Sequence, residues 1–361
     1  MSASALAMGA ALAAMPTTAS AQEVCVTQKG PRPPDTASGT ATGTGDLACG
    51  KGSQATGSAS STAIGSNSKA SGYKSTATGS YAAATGTNSA AYGASSNATG
   101  ARTTALGDFA NAIGDYSTSV GSISHATGAY SSAFGFGSFA TGAQATALGA
   151  ASSAGGENAV AVGFGSAGSG VSATAVGGYS QVNGFMGTGI GNHALVWGGT
   201  SWGTALGSYS VAGATGATAV GGNATAFGDH GTATGAFSSA SGQWSTAMGA
   251  YSSAAILGTA LGYYAIAFGP ASTATGYRSQ AYGFDSSAYG SNSNALGDYS
   301  TAIGTGSVTS NPYTTAVGNS AIAAGSRSTA LGAFAGADGF NSSAVGYSAS
   351  APALAATATG S

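Results

Sequence analysis

A glycine stands at every seventh position from Gly65 to Gly198, twenty in succession. Gly43, Gly50 and Gly57 keep the same spacing ahead of that run. After Gly198 the rhythm slips by two extra residues before Gly207 and loses one residue between Gly249 and Gly262. It then runs to Gly346, broken only where Asn311 and Pro312 replace a glycine. A fixed short period of this kind marks a chain that stacks one small unit on the next.

Seven is half of the true period. The residues before alternate glycines are Ile64, Thr78, Tyr92, Leu106, Val120, Phe134, Leu148, Val162, Val176 and Ile190, nearly all large and apolar. The interleaved set is Ser71, Thr85, Thr99, Ile113, Thr127, Thr141, Gly155, Ser169, Asn183 and Trp197, nearly all small or polar. The structural unit is therefore 14 residues made of two unlike halves. Two residues before each glycine the chain is alanine fourteen times in fifteen from Ala63 to Ala161, Ser119 being the exception. Three before, the apolar half is mostly threonine (Thr62, Thr76, Thr104, Thr118, Thr146) and the other half is polar (Lys69, Asn97, Asn111, His125).

Side chains alternate faces along a strand. Each half reads as a short strand of the S-T-A-I type ended by a glycine turn. A coil with two strands and two turns has a very narrow interior, so the uniformly small alanine column is placed inside. The residues one and three before each glycine then point out. One wall carries the apolar and threonine stripe, and the other is expected to be polar. Glycine at each corner supplies positive φ or close backbone approach. The fold expected is an all-β roll of parallel strands, with no helix.

A single roll of this kind exposes a continuous apolar stripe, which isolated monomers rarely tolerate beyond a few hundred Å². Ile64, Leu106, Val120, Phe134, Leu148, Val162 and Val176 are the candidate subunit interface, closing a ring around an axis parallel to the roll. Tyrosine and phenylalanine cluster one or two residues after the repeat glycines. These turn positions lie at coil edges, where aromatic rings cover corners and also offer contact area at low entropy cost. Tyr73, Tyr81, Tyr116 and Tyr130 are the candidate adhesive surface.

Composition excludes several alternatives. Of 361 residues only 18 are charged, with a net charge of −2, so the chain has no electrostatic footprint for nucleic acid. No apolar run reaches the roughly 20 residues a membrane helix needs. Residues 1–21 read as an export signal, with a short apolar run at Ala3–Met15 and an A-x-A site at Ala19–Ala21, although no Lys or Arg precedes Lys29. Residues 22–42 read as a cap or linker, 43–346 as the repeat region and 347–361 as a tail. Cys25 and Cys49 are the only cysteines, and in an exported chain they are expected to pair.

Motifs for catalysis do not survive their context. Ser201 in Gly199–Gly203 (GTSWG) matches the hydrolase elbow, and Gly163–Gly168 (GFGSAG) matches a dinucleotide loop, but both need a helix that the repeat does not supply. His125, His193 and His230 are far apart in sequence, and the acidic residues are too sparse for a calcium-binding nonapeptide roll. No catalytic residue, cofactor or metal site is expected. Regular T-x-T rows would suggest an ice-binding solenoid, yet T-A-T occurs at Thr76–Thr78, Thr232–Thr234, Thr273–Thr275 and Thr357–Thr359, too scattered for a continuous array.

The repeats STAIGSNS (Ser61–Ser68), TTALGDFANAIGDYS (Thr103–Ser117), TALGA (Thr146–Ala150), TAVGG (Thr174–Gly178), STAMGAYS (Ser245–Ser252), NALGDYSTAIG (Asn294–Gly304) and STALGAF (Ser328–Phe334) resemble the head repeats of the trimeric autotransporter adhesins, the YadA-like family. The resemblance covers about residues 43–346. It implies a left-handed parallel β-roll, a homotrimer displayed outside the outer membrane, and attachment to host cells, extracellular matrix or other cells. A purely structural spacer or surface-layer solenoid is the alternative from another class. The tail YSASAPALAATATGS after Gly346 lacks the heptads and aromatic-ended amphipathic strands of the family's stalk and anchor, so the chain is expected to be a head without a visible anchor: a fragment, the product of a truncated gene, or a head held at the surface some other way. Residues 181–203 drift from the repeat and are expected to form a local bulge or loop.

Overall fold

The computed structural model describes residues 23–25, 39–199 and 201–360. The expected export signal at 1–21, and all of the 22–42 segment but residues 23–25 and 39–42, lie outside them. Among the described residues every element is a strand. Three-residue strands such as Thr104–Leu106 form one parallel sheet of 24 strands, and two-residue strands such as Asn111–Ala112 form the other. Each strand pairs with the strand one coil on: Thr104, Ala105 and Leu106 face Thr118, Ser119 and Val120, while Asn97 and Ala98 face Asn111 and Ala112. At about 4.8 Å per strand the roll is roughly 110 Å long.

The alanine column lies inside as expected: Ala105, Ala112 and Ala133 are fully buried. A second interior column, four residues before each glycine, is mostly serine. Ser96, Ser124 and Ser152 donate through Oγ to the carbonyls of Gly93, Gly121 and Gly149 at 2.9, 2.8 and 2.8 Å. These bonds satisfy buried hydroxyls and tie each strand to its preceding turn. Polar exceptions inside the roll use the same column. Ser119 Oγ lies 2.6 Å from Ser124 Oγ, and Thr309 Oγ1 donates to Ser300 Oγ at 2.9 Å. Asp46 takes a serine place in the first full coil, where its carboxylate accepts from Gly43 N, Ser61 N and Ser61 Oγ.

The two glycine roles fall on different corners. Gly107, after a long strand, has φ +139, and a Cβ there would sit 2.5 Å from the Gly121 carbonyl oxygen. Gly114, after a short strand, lacks positive φ, but a Cβ there would collide with the carbonyl of Gly128. Two residues beyond each glycine the chain enters the left-handed region, as at Phe109 (φ 55), Tyr116 (φ 61) and Ile123 (φ 59).

Four boundaries and surfaces differ from the sequence reading. The roll already includes Thr40–Ala41, within the expected cap. It also continues past Gly346: Ser350–Ala351 pairs with Gly336–Ala337, and Thr357–Thr359 with Ser343–Val345. Ala353 stands where the next glycine was due, so a glycine count ends one coil early. The segment 181–203 keeps its strands, Thr188–Ile190 and Leu195–Val196 pairing 16 residues on with Thr204–Leu206 and Val211–Ala212. The two extra residues are absorbed at the corner after Trp197, where Phe185 and Ser201 form an isolated bridge. Finally, the wall of short strands is polar only in its first half. From Trp197 onward it presents Phe227, Phe268, Tyr282 and Leu296.

Candidate functional site

The long-strand wall carries one continuous file. Parallel register aligns Leu106 with Val120, Val120 with Phe134, Phe134 with Leu148, Leu148 with Val162, and Val162 with Val176. Leu106 and Leu148 are 48% and 47% exposed, Ile64 and Phe134 are also exposed, and Val120, Val162 and Val176 are half-buried. Threonine flanks the file at Thr104, Thr118, Thr146 and Thr174. The file runs on through Leu206, Val220, Met248, Leu261, Ile303, Val317 and Leu331.

Tyr73, Tyr81, Tyr116 and Tyr130 are all exposed, Tyr81 the most at 64%. They divide between two edges. Tyr116 and Tyr130 follow short strands and stack with centroids 4.7 Å apart and planes 6° from parallel. Arg102 extends this stack, its guanidinium 5.2 Å from the Tyr116 ring centroid and Nη1 donating to the Tyr116 hydroxyl at 2.6 Å. Tyr73 follows a short strand too, with Lys74 Nζ 5.1 Å from its ring centroid. Tyr81 follows a long strand, on the opposite edge. Asp115 reinforces the short-strand edge by accepting from Ala101 N at 2.8 Å, and Asp298 does the same for Phe284 N at 2.8 Å.

Longer ring stacks lie farther along, on the edge after the long strands. Phe164, Tyr179, His193 and Tyr209 form one, with spacings of 5.2, 5.1 and 4.8 Å. Phe237, Tyr251 and Tyr264 form another, at 5.0 and 4.7 Å. Their signal in the sequence is an aromatic residue two after the glycine that ends each long strand (one after it at Phe164), once per coil, which a count at period seven merges with the other edge. The phenol of Tyr263 is held above the ordinary value of 10.0, first by loss of hydration, then by ionising neighbours Tyr264, Tyr251 and Tyr277.

The three histidines sit in such stacks. His125 lies on Phe139 at 5.0 Å, with Nε2 3.1 Å from Asn111 Nδ2 and Nδ1 2.9 Å from the Ile123 carbonyl. His193 is sandwiched between Tyr179 and Tyr209, and His230 lies on Trp244 at 4.3 Å. Among the described residues no three His, Cys, Asp or Glu side chains gather as metal ligands. Ser201 lies in a bridge between coils and Gly163–Gly168 spans a turn and a short strand, so neither motif meets the helix it requires. Cys25 and Cys49 are brought into direct register on neighbouring parallel strands, Glu23–Cys25 and Leu47–Cys49.

A parallel solenoid of 14-residue coils with an alanine core and an apolar file along one wall defines a class of repetitive head domains. The model of the YadA head domain repeat matches residues 58–82, 84–110, 112–138, 140–166, 203–224, 212–238, 256–279, 281–307, 310–335 and 337–361. The chain belongs to this family and is an adhesin-type head domain. Between residues 58 and 361 the two longest gaps in the match, 167–202 and 239–255, hold or adjoin the two places where the repeat slips. The family is a structural adhesin domain, not an enzyme family, and its members are trimeric and exposed at the cell surface. A comparison with curated protein sequences finds no match. Among the described residues no helix is long and apolar enough to cross a membrane.

Proposed function

We propose that the chain is exported through its N-terminal segment and works as a homotrimeric head at the cell surface. It attaches to host cells or extracellular matrix, and joins cell to cell, by many weak non-covalent contacts. It carries out no catalysis and needs no cofactor. The observation that carries this reading is the exposed apolar file on the long-strand wall, which demands partners along the whole roll. The large residues of the file are already about half-buried within each roll, so covering each is worth about half of the 1.5–3 kcal/mol of full burial, and ten coils supply on the order of 10 kcal/mol before the cost of association. With the file closed inside the trimer, the edges face outward and repeat three-fold. Weak contacts repeated in this way gain 10²–10⁴-fold in avidity without any strong single site.

The test replaces Tyr73, Tyr81, Tyr116 and Tyr130 by Ser, singly and together, and measures binding of cells and matrix-coated beads. Small single losses and a large combined loss, with the trimer intact, are expected. Abolition by one substitution means a discrete site, and undiminished binding by the quadruple variant removes these tyrosines from the adhesive surface. A trimer that binds neither matrix nor cells makes the roll a spacer.

A further inference from the structure

The short-strand wall changes character at the two-residue insertion. Before it, the outward file one residue ahead of the glycines is Ser71, Thr85, Thr99, Thr127, Thr141, Gly155, Ser169 and Asn183, broken by Ile113. From the corner of the insertion onward the same file reads Trp197, Gly213, Phe227, Ser241, Ala255, Phe268, Tyr282 and Leu296, before it turns small and polar again at Ser310, Ala324 and Asp338. All five large members are exposed, Phe268 at 66% and Trp197 at 45%. Trp197 and Phe227 close over Gly213, with ring centroids 5.2 Å apart, and Phe268 lies 5.9 Å from Tyr282. The neighbouring outward file (Leu195, Val211, Thr225, Ser239, Ser253, Ile266, Gln280, Asn294) carries no charge. The nearest carboxylates stay at the corners, where Asp229 and Asp298 accept from Thr215 N and Phe284 N. This wall faces away from the long-strand file, so closing the trimer leaves it open.

The geometry points to a second copy of this chain, on another trimer, as the occupant of this wall, in antiparallel contact. This rests on the head reading above and adds the partner and the surface. The order of the file is self-complementary. A two-fold axis between Ser241 and Ala255 sets Phe227 opposite Phe268, Trp197 opposite Leu296, and Tyr282 opposite Gly213. Small residues meet at the centre and large ones on both sides. An isologous contact of this kind makes two heads antiparallel, as heads projecting from two facing cells are. Eight coils at about 4.8 Å and a width of about 10 Å give roughly 380 Å² per copy, or about 770 Å² for the pair. That is below the roughly 1,200 Å² of a stable interface, so one contact is transient and adhesion comes from many in parallel.

The experiment uses beads of two colours coated with the full chain. The variant is Trp197→Thr, Phe227→Thr, Phe268→Thr and Tyr282→Thr together. Threonine occupies the same position in the first half of the roll, in the same coil geometry. Mixed-colour clumps of native beads are expected to fall at least tenfold when either colour carries the variant. A second variant, Ser241→Asp, removes no ring but sets two carboxylates near the two-fold axis, and clumping is expected to fall and to recover in part with added salt. Binding of cells and matrix is expected to survive both variants. The inference is overturned if native and variant beads clump as well as two native ones, since the wall then meets something other than itself. It is also overturned if both variants clump normally, or if the fourfold variant loses cell binding but not clumping. Native beads that bind cells but never clump overturn this inference and leave the attachment to host cells and matrix standing.

Discussion

Val182 fills the interior space that a side chain at Gly189 would need: a Cβ on Gly189 would lie 2.6 Å from Val182 Cγ2. Val182 stands where the repeat has alanine, and Gly189 replaces the alanine of the facing long strand. Gly187 makes the same allowance, its Cβ position lying 2.8 Å from Val182 Cγ1 and 3.0 Å from Val196 Cγ1. Interior volume is thus conserved by trading methyl groups between facing strands, as close packing requires.

A double-mutant cycle tests this exchange. Gly189→Ala alone is expected to cost about 1–3 kcal/mol by overpacking, and Val182→Ala alone about 1–2 kcal/mol through the void it leaves. The double variant recreates the ordinary coil and is expected to recover most of the loss, a coupling of at least about 1 kcal/mol by denaturant unfolding. Strict additivity would show that the two residues do not share the space.

Much of this fold was legible because its constraints repeat. The alanine column at Ala63, Ala70 and Ala77 needs only a narrow interior to explain it, and the interior is where the structure has it. The serine column at Ser61, Ser68 and Ser75 was not legible as interior, because serine on its own reads as a turn residue. At Ser68 the hydroxyl is satisfied because the Gly65 carbonyl lies within reach, a fact of the folded turn, whereas Ser61 Oγ donates to Asp46 Oδ1 and Ser75 Oγ is buried with no hydrogen-bond partner among the described residues. Ala353 hid the last coil for the same reason, since what the corner needs is close approach, and glycine only usually supplies it. On the surface, period seven merged two edges, so Tyr81 was grouped with Tyr116 and Tyr130 although it lies across the roll from them.

Ile123 is a β-branched residue held at φ 59 with its side chain exposed. The left-handed region costs an L-residue roughly 1–2 kcal/mol, and branching at Cβ adds to that. Asparagine occupies the same corner at Asn67, Asn223 and Asn292 with φ 54–56. Ile123→Asn is therefore expected to stabilise the roll by about 1 kcal/mol, read as a higher denaturant midpoint at unchanged slope. A loss of stability would mean that the Ile123 side chain packs more than its exposure indicates.

Cys25 and Cys49 lie opposite each other on adjacent parallel strands, where Cα atoms are about 4.8 Å apart, inside the 4.4–6.8 Å range that a disulfide spans. We expect them to be joined in the exported protein, fastening Glu23–Cys25 as the first strand of the long-strand sheet. Intact mass under non-reducing conditions should be two hydrogens below the reduced value, with neither thiol open to alkylation. Cys25→Ser should then cost about 3 kcal/mol in the unfolding of the first coils. Alkylation of both cysteines without reductant would sink the pairing.

Leu106 and Val120 adjoin in register in the first third of the long-strand file, and this file is the surface we assign to the three-fold seam. Replacing both by Asp puts up to six carboxylates into a desolvated interface, each costing several kcal/mol without a partner. Light scattering is expected to show the trimer lost, with aggregation of the exposed rolls. The control must carry a charge on the other wall without breaking a bond there. Asn111 fails that condition, because its amide donates to the Phe109 carbonyl at 3.2 Å and meets His125 Nε2. Asn97, one coil earlier in the same file, is the better site, and Asn97→Asp should leave the trimer and its midpoint unchanged within about 0.5 kcal/mol. A Leu106→Asp/Val120→Asp chain that remains a well-folded trimer would move the seam off this wall. The short-strand wall around Phe268 and Tyr282 would then be the next surface to examine as the seam, and its assignment to contacts between separate heads would fall with it.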